Sequence, residues 1–122
     1  MAHPNDPHPH FAHDRLDVYR VACEALVLGD ALCRRLPRGY ASLADQMRRA
    51  LLSLQLNIAE AASRSGADRG ARFRTARGEC SEAAAAAEAA GLLQIAPADE
   101  VAALRAVLGR VYAMLTRLAP AR

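Results

Sequence analysis

Near the C-terminus, Val101, Leu104, Leu108, Val111, Leu115 and Leu118 follow one another at intervals of three, four, three, four and three. An α-helix with one buried seam returns side chains to the same side at that spacing, and a strand does not. Such a helix must cover its stripe with other helices. The rest of the chain is suited to supply them: Ala (29 residues) and Leu (16) dominate, aromatics make up 4% and Trp is absent, so strand formers are scarce. At 122 residues there is room for one domain. The seam is read as the core of that domain rather than as a zipper for a partner.

Proline and glycine set the boundaries. Three prolines and all four histidines fall within residues 1–13, which are read as a disordered tail, with residues 14–119 forming the bundle. His8, His10 and His13 have no fixed surroundings to orient them, so a solvated arm is favoured over a metal site. From Asp14 two apolar sets run in parallel: Leu16, Tyr19, Cys23, Leu26 and Cys33, and Val18, Ala22, Ala25, Leu32 and Leu36. Pro37 and Gly39 end this first helix, and Ser42 with Asp45 resembles a capping box opening a second that runs to about Arg64. A third is predicted from about Asp68 to Ala90, closed by Gly91, and Pro97 with Asp99 and Glu100 begins the fourth. Four helices with short links predict an all-α, antiparallel up-down-up-down four-helix bundle.

The second helix carries most of the information. Leu43, Met47, Ala50, Leu51, Leu54, Ile58 and Ala61 share one face, the predicted core. Beside it Gln46, Arg49, Ser53, Asn57, Glu60 and Arg64 form a polar stripe, read as a hydrogen-bond network in which Asn57 and Glu60 reach Arg49 or the neighbouring helix's backbone. Leu52, Leu56 and Ala59 lie away from the core, and a monomer would leave both leucines in water, which favours a homo-oligomer.

The net charge of +3 conceals a strong asymmetry. Residues 34–77 hold ten Arg against Asp45, Glu60 and Asp68, a local +7, while the remainder carries six Arg and ten acids, −4. All sixteen basic residues are Arg, through coding bias or through selection for forked contacts to phosphate. A modest basic patch can be drawn from Arg34, Arg35, Arg38, Arg64, Arg69, Arg72, Arg74 and Arg77. The bland alternative is a solvated face with no partner. No aromatic platform for stacking bases stands out, so any nucleic acid would be held by its phosphates.

Catalysis is not expected: every histidine is in the tail, no E-x-x-H pair or Gly-rich phosphate loop occurs, and Cys23, Cys33 and Cys80 form no C-x-x-C pair. The cysteines read as reduced, buried thiols, and neither a metal nor a cofactor is called for. Neither a membrane-length apolar run nor a leader pattern occurs, so a cytoplasmic location is expected.

The stretch Gln46-Met-Arg-Arg-Ala-Leu-Leu-Ser-Leu-Gln-Leu-Asn-Ile-Ala-Glu60 resembles the signature Q-L-R-R-A-x-x-S-I-x-x-N-I-A-E-G of the bacterial four helix bundle proteins. That family includes the 23S ribosomal RNA intervening-sequence proteins and is related to the accessory protein of diversity-generating retroelements. Leu16-Asp-Val-Tyr19 with Ala22, and Phe73, Ala76, Gly78 and Glu82, extend the resemblance over residues 11 to about 118. It places Arg48, Arg49, Asn57, Glu60, Gly78 and Glu82 at fold-defining positions; the oligomer contact at Leu52, Leu56 and Ala59 rests on their place away from the core. It implies a homopentamer that binds nucleic acid, RNA above all, and in one subset a reverse transcriptase. Ala61 stands where the signature has Gly, so the second helix is expected to run about one turn further. Glu79 replaces a Ser and weakens any phosphate patch on the third helix. The alternative function is a protein-interaction module in which Leu52, Leu56 and the Ala-rich stretch from Ala83 to Ala90 dock a partner such as a reverse transcriptase, without nucleic acid.

Overall fold

The computed structural model describes residues 10–120. Helices α1 (Asp17–Arg34), α2 (Ala41–Ala62), α3 (Gly66–Leu92) and α4 (Ala98–Leu118) carry the chain, with single 3-10 turns at Ala12–Arg15 and Arg38–Tyr40 and no strand among the described residues. Each helix packs on its chain neighbours and α4 returns to α1, which closes the bundle. The predicted four-helix architecture is the one observed. No helix among the described residues is long and apolar enough to cross a membrane.

The interior is dry. Every buried side chain among the described residues is apolar or a thiol. In α4 the seam holds: Val101, Leu104, Leu108, Val111 and Leu115 are buried, and Leu118 is half-buried where the helix ends. In α1 the second of the two apolar sets takes the centre, with Val18, Ala22, Ala25 and Leu32 buried, while Leu16, Tyr19, Cys23 and Leu26 line the flank. In α2 Ala44 rather than Leu43 begins the buried face, followed by Met47, Ala50, Leu51, Leu54, Ile58 and Ala61. Each large aliphatic side chain so buried contributes about 1.5–3 kcal/mol.

Small residues set how closely the helices approach. Gly29 leaves no room for a side chain, since a Cβ there would lie 2.1 Å from Leu51 Cδ1. In α3 the buried positions are Gly70, Ala76, Cys80, Ala83, Ala87 and Ala90, with Phe73 the one bulky side chain. Two thiols stitch neighbouring helices: Cys33 Sγ donates to the Ala44 carbonyl at 3.5 Å and Cys80 Sγ to the Leu108 carbonyl at 3.2 Å. Burial raises the Cys33 pKa and pushes that of Cys80 up to about 11, so both stay protonated at neutral pH.

Four boundaries differ from expectation. The capping box at Ser42 is not formed; the 3-10 turn Arg38–Tyr40 leads straight into α2, and no side chain caps it. Helix α2 does not run on past Ala61 as expected but stops at Ala62, where backbone bonds from Ser63 and Arg64 tighten into a 3-10 turn and the Ser63 hydroxyl donates to the Glu60 carbonyl at 2.9 Å. Gly66, at φ +59°, takes the left-handed position that starts α3 two residues before Asp68. Gly91 does not close α3. It lies inside the helix, a would-be Cβ 3.3 Å from Val101, and Gln94 at φ 57° makes the left-handed cap, with Gln94 N–H to the Gly91 carbonyl and Ile95 N–H to the Ala90 carbonyl.

Residues 1–9 of the expected tail, His8 included, lie outside the described residues. The described end of that tail folds back: the His13 ring stacks on Phe11 (5.6 Å between centroids) and meets Tyr19 at 4.5 Å, while the Phe11 N–H donates to Asp14.

Candidate nucleic-acid interface

The antiparallel path determines where the arginines go. Arg34, Arg35 and Arg38 end α1 and Arg48 lies near that end on α2, whereas Arg64, Arg69, Arg72 and Arg74 gather where α2 passes into α3. The 22 residues of α2 span about 33 Å at 1.5 Å per residue, so these are two clusters toward opposite ends of the bundle, one on the α1 side of α2 and the other on its α3 side. Arg77 lies between them on α3.

Each cluster is organised around a shared carboxylate. Asp30 accepts from Arg34 Nη2 at 2.7 Å and Arg48 Nε at 3.1 Å. At the other end Asp68 accepts from Arg64 at 2.8 Å and lies 3.9 Å from Arg72, while Glu60 also pairs with Arg64. These bonds to Glu60 and Asp68 raise the Arg64 pKa further. Arg35 pairs with Glu100 of α4. The pairs are exposed, and exposed pairs contribute little to stability, so a phosphate competes for these guanidinium groups at small cost.

Two of the eight predicted arginines are otherwise engaged. Arg69 reaches back to the Ala61 carbonyl at the end of α2 (3.4 Å) and stands over the Phe73 ring, 5.1 Å from its centroid. Arg74 donates to the Pro120 carbonyl at 3.2 Å. Arg38 and Arg77 make no ion pair among the described residues, and neither does Arg49.

The C-terminal half of the polar stripe of α2 is satisfied locally. Asn57 Nδ2 donates to the Ser53 carbonyl (2.9 Å) and hydroxyl (3.1 Å), and Glu60 pairs with Arg64, so neither reaches Arg49 or another helix as expected. The bonds between α1 and α2 lie on the opposite flank, where Gln55 donates to the Tyr19 hydroxyl at 2.9 Å and Arg48 holds Asp30. Sequence reasoning missed Asp30 as the hub of one cluster. Its spacing of four from Arg34 was the available signal. On α3, Gly78 faces open space and Glu82 is exposed.

Between the two clusters runs the outer ridge of α2. Leu52 is 48% and Leu56 55% exposed, with Ala59 half-buried beyond them. A groove of about 410 Å³ bounded by Arg49, Ser53, Asn57, Glu60 and Arg72 lies on the α3 side, and a second of about 530 Å³, containing Val27, lies on the α1 side. A helical bundle with these motif residues in this register can be set beside known families. The family model described as 23S rRNA-intervening sequence protein matches residues 14–117. The chain belongs to that family. The match takes in all four helices and both arginine clusters. No curated protein matches the chain.

Proposed function

We propose that this member of the 23S rRNA-intervening sequence protein family is a non-enzymatic, homo-oligomeric scaffold that binds RNA through its phosphates. The observation that carries the reading is the charge of residues 34–77, ten arginines against three acids, which the bundle distributes as two clusters, one toward each end. Arg34, Arg35, Arg38 and Arg64 are exposed and Arg72 and Arg77 half-buried; these six are the favoured contacts, and Arg69 and Arg74 hold the end of the bundle in shape. RNA fits the name of the family model, and contact by guanidinium without aromatic stacking fits binding with little sequence preference. The unpartnered leucines of α2 support self-association, which multiplies a weak site.

The test is filter binding of a structured RNA fragment across a salt series. Affinity is expected to fall linearly on a log–log plot, and alanine at Arg38, Arg72 and Arg77 to flatten the slope by about 0.7–0.9 for each phosphate no longer neutralised. An affinity that barely changes between low and moderate salt overturns phosphate contact. The alternative, docking of a partner protein such as a reverse transcriptase, draws on Leu52 and Leu56, and it gains if the purified chain binds that protein and no RNA.

A further inference from the structure

Helices α3 and α4 leave an open groove between them of about 660 Å³, a volume in the range that holds nucleotide-sized ligands. Small residues line much of it, Ala84 of α3 and Ala106 and Gly109 of α4 among them, and Arg105 and Tyr112 border it. Tyr112 is 44% exposed. Its ring has no aromatic neighbour among the described residues, whereas Phe11, the other exposed aromatic, is stacked on His13. Gly109 is the second anomaly. It sits inside α4, where glycine is a poor helix former, its φ is not left-handed, and a Cβ there would meet nothing within 4 Å. The packing of a single chain does not call for glycine at that position; a flat ring laid against the helix backbone does.

The cations are placed to match. Arg105, Gly109 and Tyr112 follow at spacings of four and three on one flank of α4, so two turns and about 10.5 Å of axis separate the guanidinium-bearing residue from the ring. Arg105 is held at 3.4 Å by Glu88 in an exposed pair that opens at small cost. On α3, Arg77 lies one turn from Ser81 of the groove, on the flank from which Arg74 reaches Pro120 beyond the end of α4. The bond from Cys80 to the Leu108 carbonyl sets the level of the two antiparallel helices and brings Arg77, three residues before Cys80, toward the Tyr112 end. Arg77 makes no ion pair among the described residues. A phosphate on either side of a base stacked on Tyr112 thus has an arginine within reach.

We propose that the α3–α4 groove takes an unpaired base of single-stranded RNA, stacked on Tyr112 beside Gly109, with Arg105 and Arg77 on the flanking phosphates. The site rests on the RNA reading above and adds to it: the two arginine clusters hold phosphates alone, and here a base is held as well. Every base has a π face, so the groove selects unpaired over paired RNA and carries no sequence code.

The experiment is fluorescence anisotropy of a labelled, unstructured RNA of about 12 nucleotides, and of the same RNA annealed to its complement, with the full chain and its Y112A, Y112F, G109L and R105A variants, each checked for helix content and melting. Removing the ring in Y112A, or filling the groove in G109L, is expected to weaken binding of the single strand about fivefold or more and to leave the duplex unchanged, while Y112F stays within about twofold of the parent. Arg105→Ala is expected to flatten the salt dependence for the single strand by about 0.7 in slope. A parent chain that binds neither RNA overturns the site together with the RNA reading. Single-strand affinity indifferent to Y112A and G109L, which is also what a groove occupied by a helix of a partner protein gives, overturns the stacking site and leaves the phosphate contacts standing, as does a Y112F variant as weak as Y112A. Folded Y112A and G109L variants that lose unpaired RNA alone, with Y112F retaining it, establish the site.

Discussion

On its inner side α2 presents Met47, Leu51, Leu54 and Ile58, all fully buried, while on its outer side Leu52 and Leu56 keep about half their surface in water. The two sets are similar in chemistry and interleaved in sequence. What separates them is phase: α1 and α3 close over one side of α2, and no helix among the described residues closes over the other. Hydrophobicity alone therefore does not define the core of this bundle. The outer leucines add little to the fold of a single chain, and their burial remains available to an association.

The sharpest way to break the comparison is to truncate both sides. Leu54→Ala is expected to cost about 2–5 kcal/mol in chemical denaturation, because the dry interior cannot collapse onto the gap. A cost below about 1 kcal/mol would show that the inner face is loosely packed. Alkaline titration probes the same dryness. The Cys80 thiol, its pKa pushed up to about 11 by burial, keeps its proton in the folded state at pH values where the unfolded chain has lost it. Stability is thus full below the ordinary thiol range and declines as pH climbs toward 11, by roughly 2 kcal/mol, with Cys33 adding in the same direction. Melting curves across the alkaline range check this, and Cys80→Ala should flatten the decline. Gly29→Ala forces Leu51 to move and is expected to destabilise by about 1 kcal/mol, the crowding exceeding the helix-propensity gain. Smallest of all, Leu56→Ala should leave the stability of the isolated bundle within about 0.5 kcal/mol. A loss comparable with that of Leu54→Ala would erase the distinction between the two faces.

How far the fold is legible in the sequence depends on how uneven each helix is. Helix α4 alternates large aliphatics with polar and small residues, and its spacing alone marks the buried set down to Leu115. Helix α1 offers two apolar sets, and only packing against α2 and α4 decides that Val18 and Ala25 outrank Tyr19 and Leu26. Helix α3 has alanine on every side, so its phase is nearly silent, and both of its ends fall elsewhere than the residue pattern indicates, one set by the left-handed Gly66 and the other by the Gln94 cap. At the site, the arginine-rich segment is legible as a charge count. Its division into two clusters needs the antiparallel path, and its ion pairs need side-chain reach: Asn57 turns back to Ser53 within its own helix, and Asp30, which no motif marks, gathers Arg34 and Arg48.

The alanine tract of α3 has a further consequence. From Ala83 to Ala90 one turn is nearly interchangeable with the next, so that half of the helix is a ruler almost without graduations, and Phe73 is its one deep mark. Registration is set near the α2–α3 turn. Gain or loss of a turn's worth of alanines by replication slippage would move the far cap and the start of α4 along the bundle axis and leave Arg64, Arg69 and Arg72 where they stand.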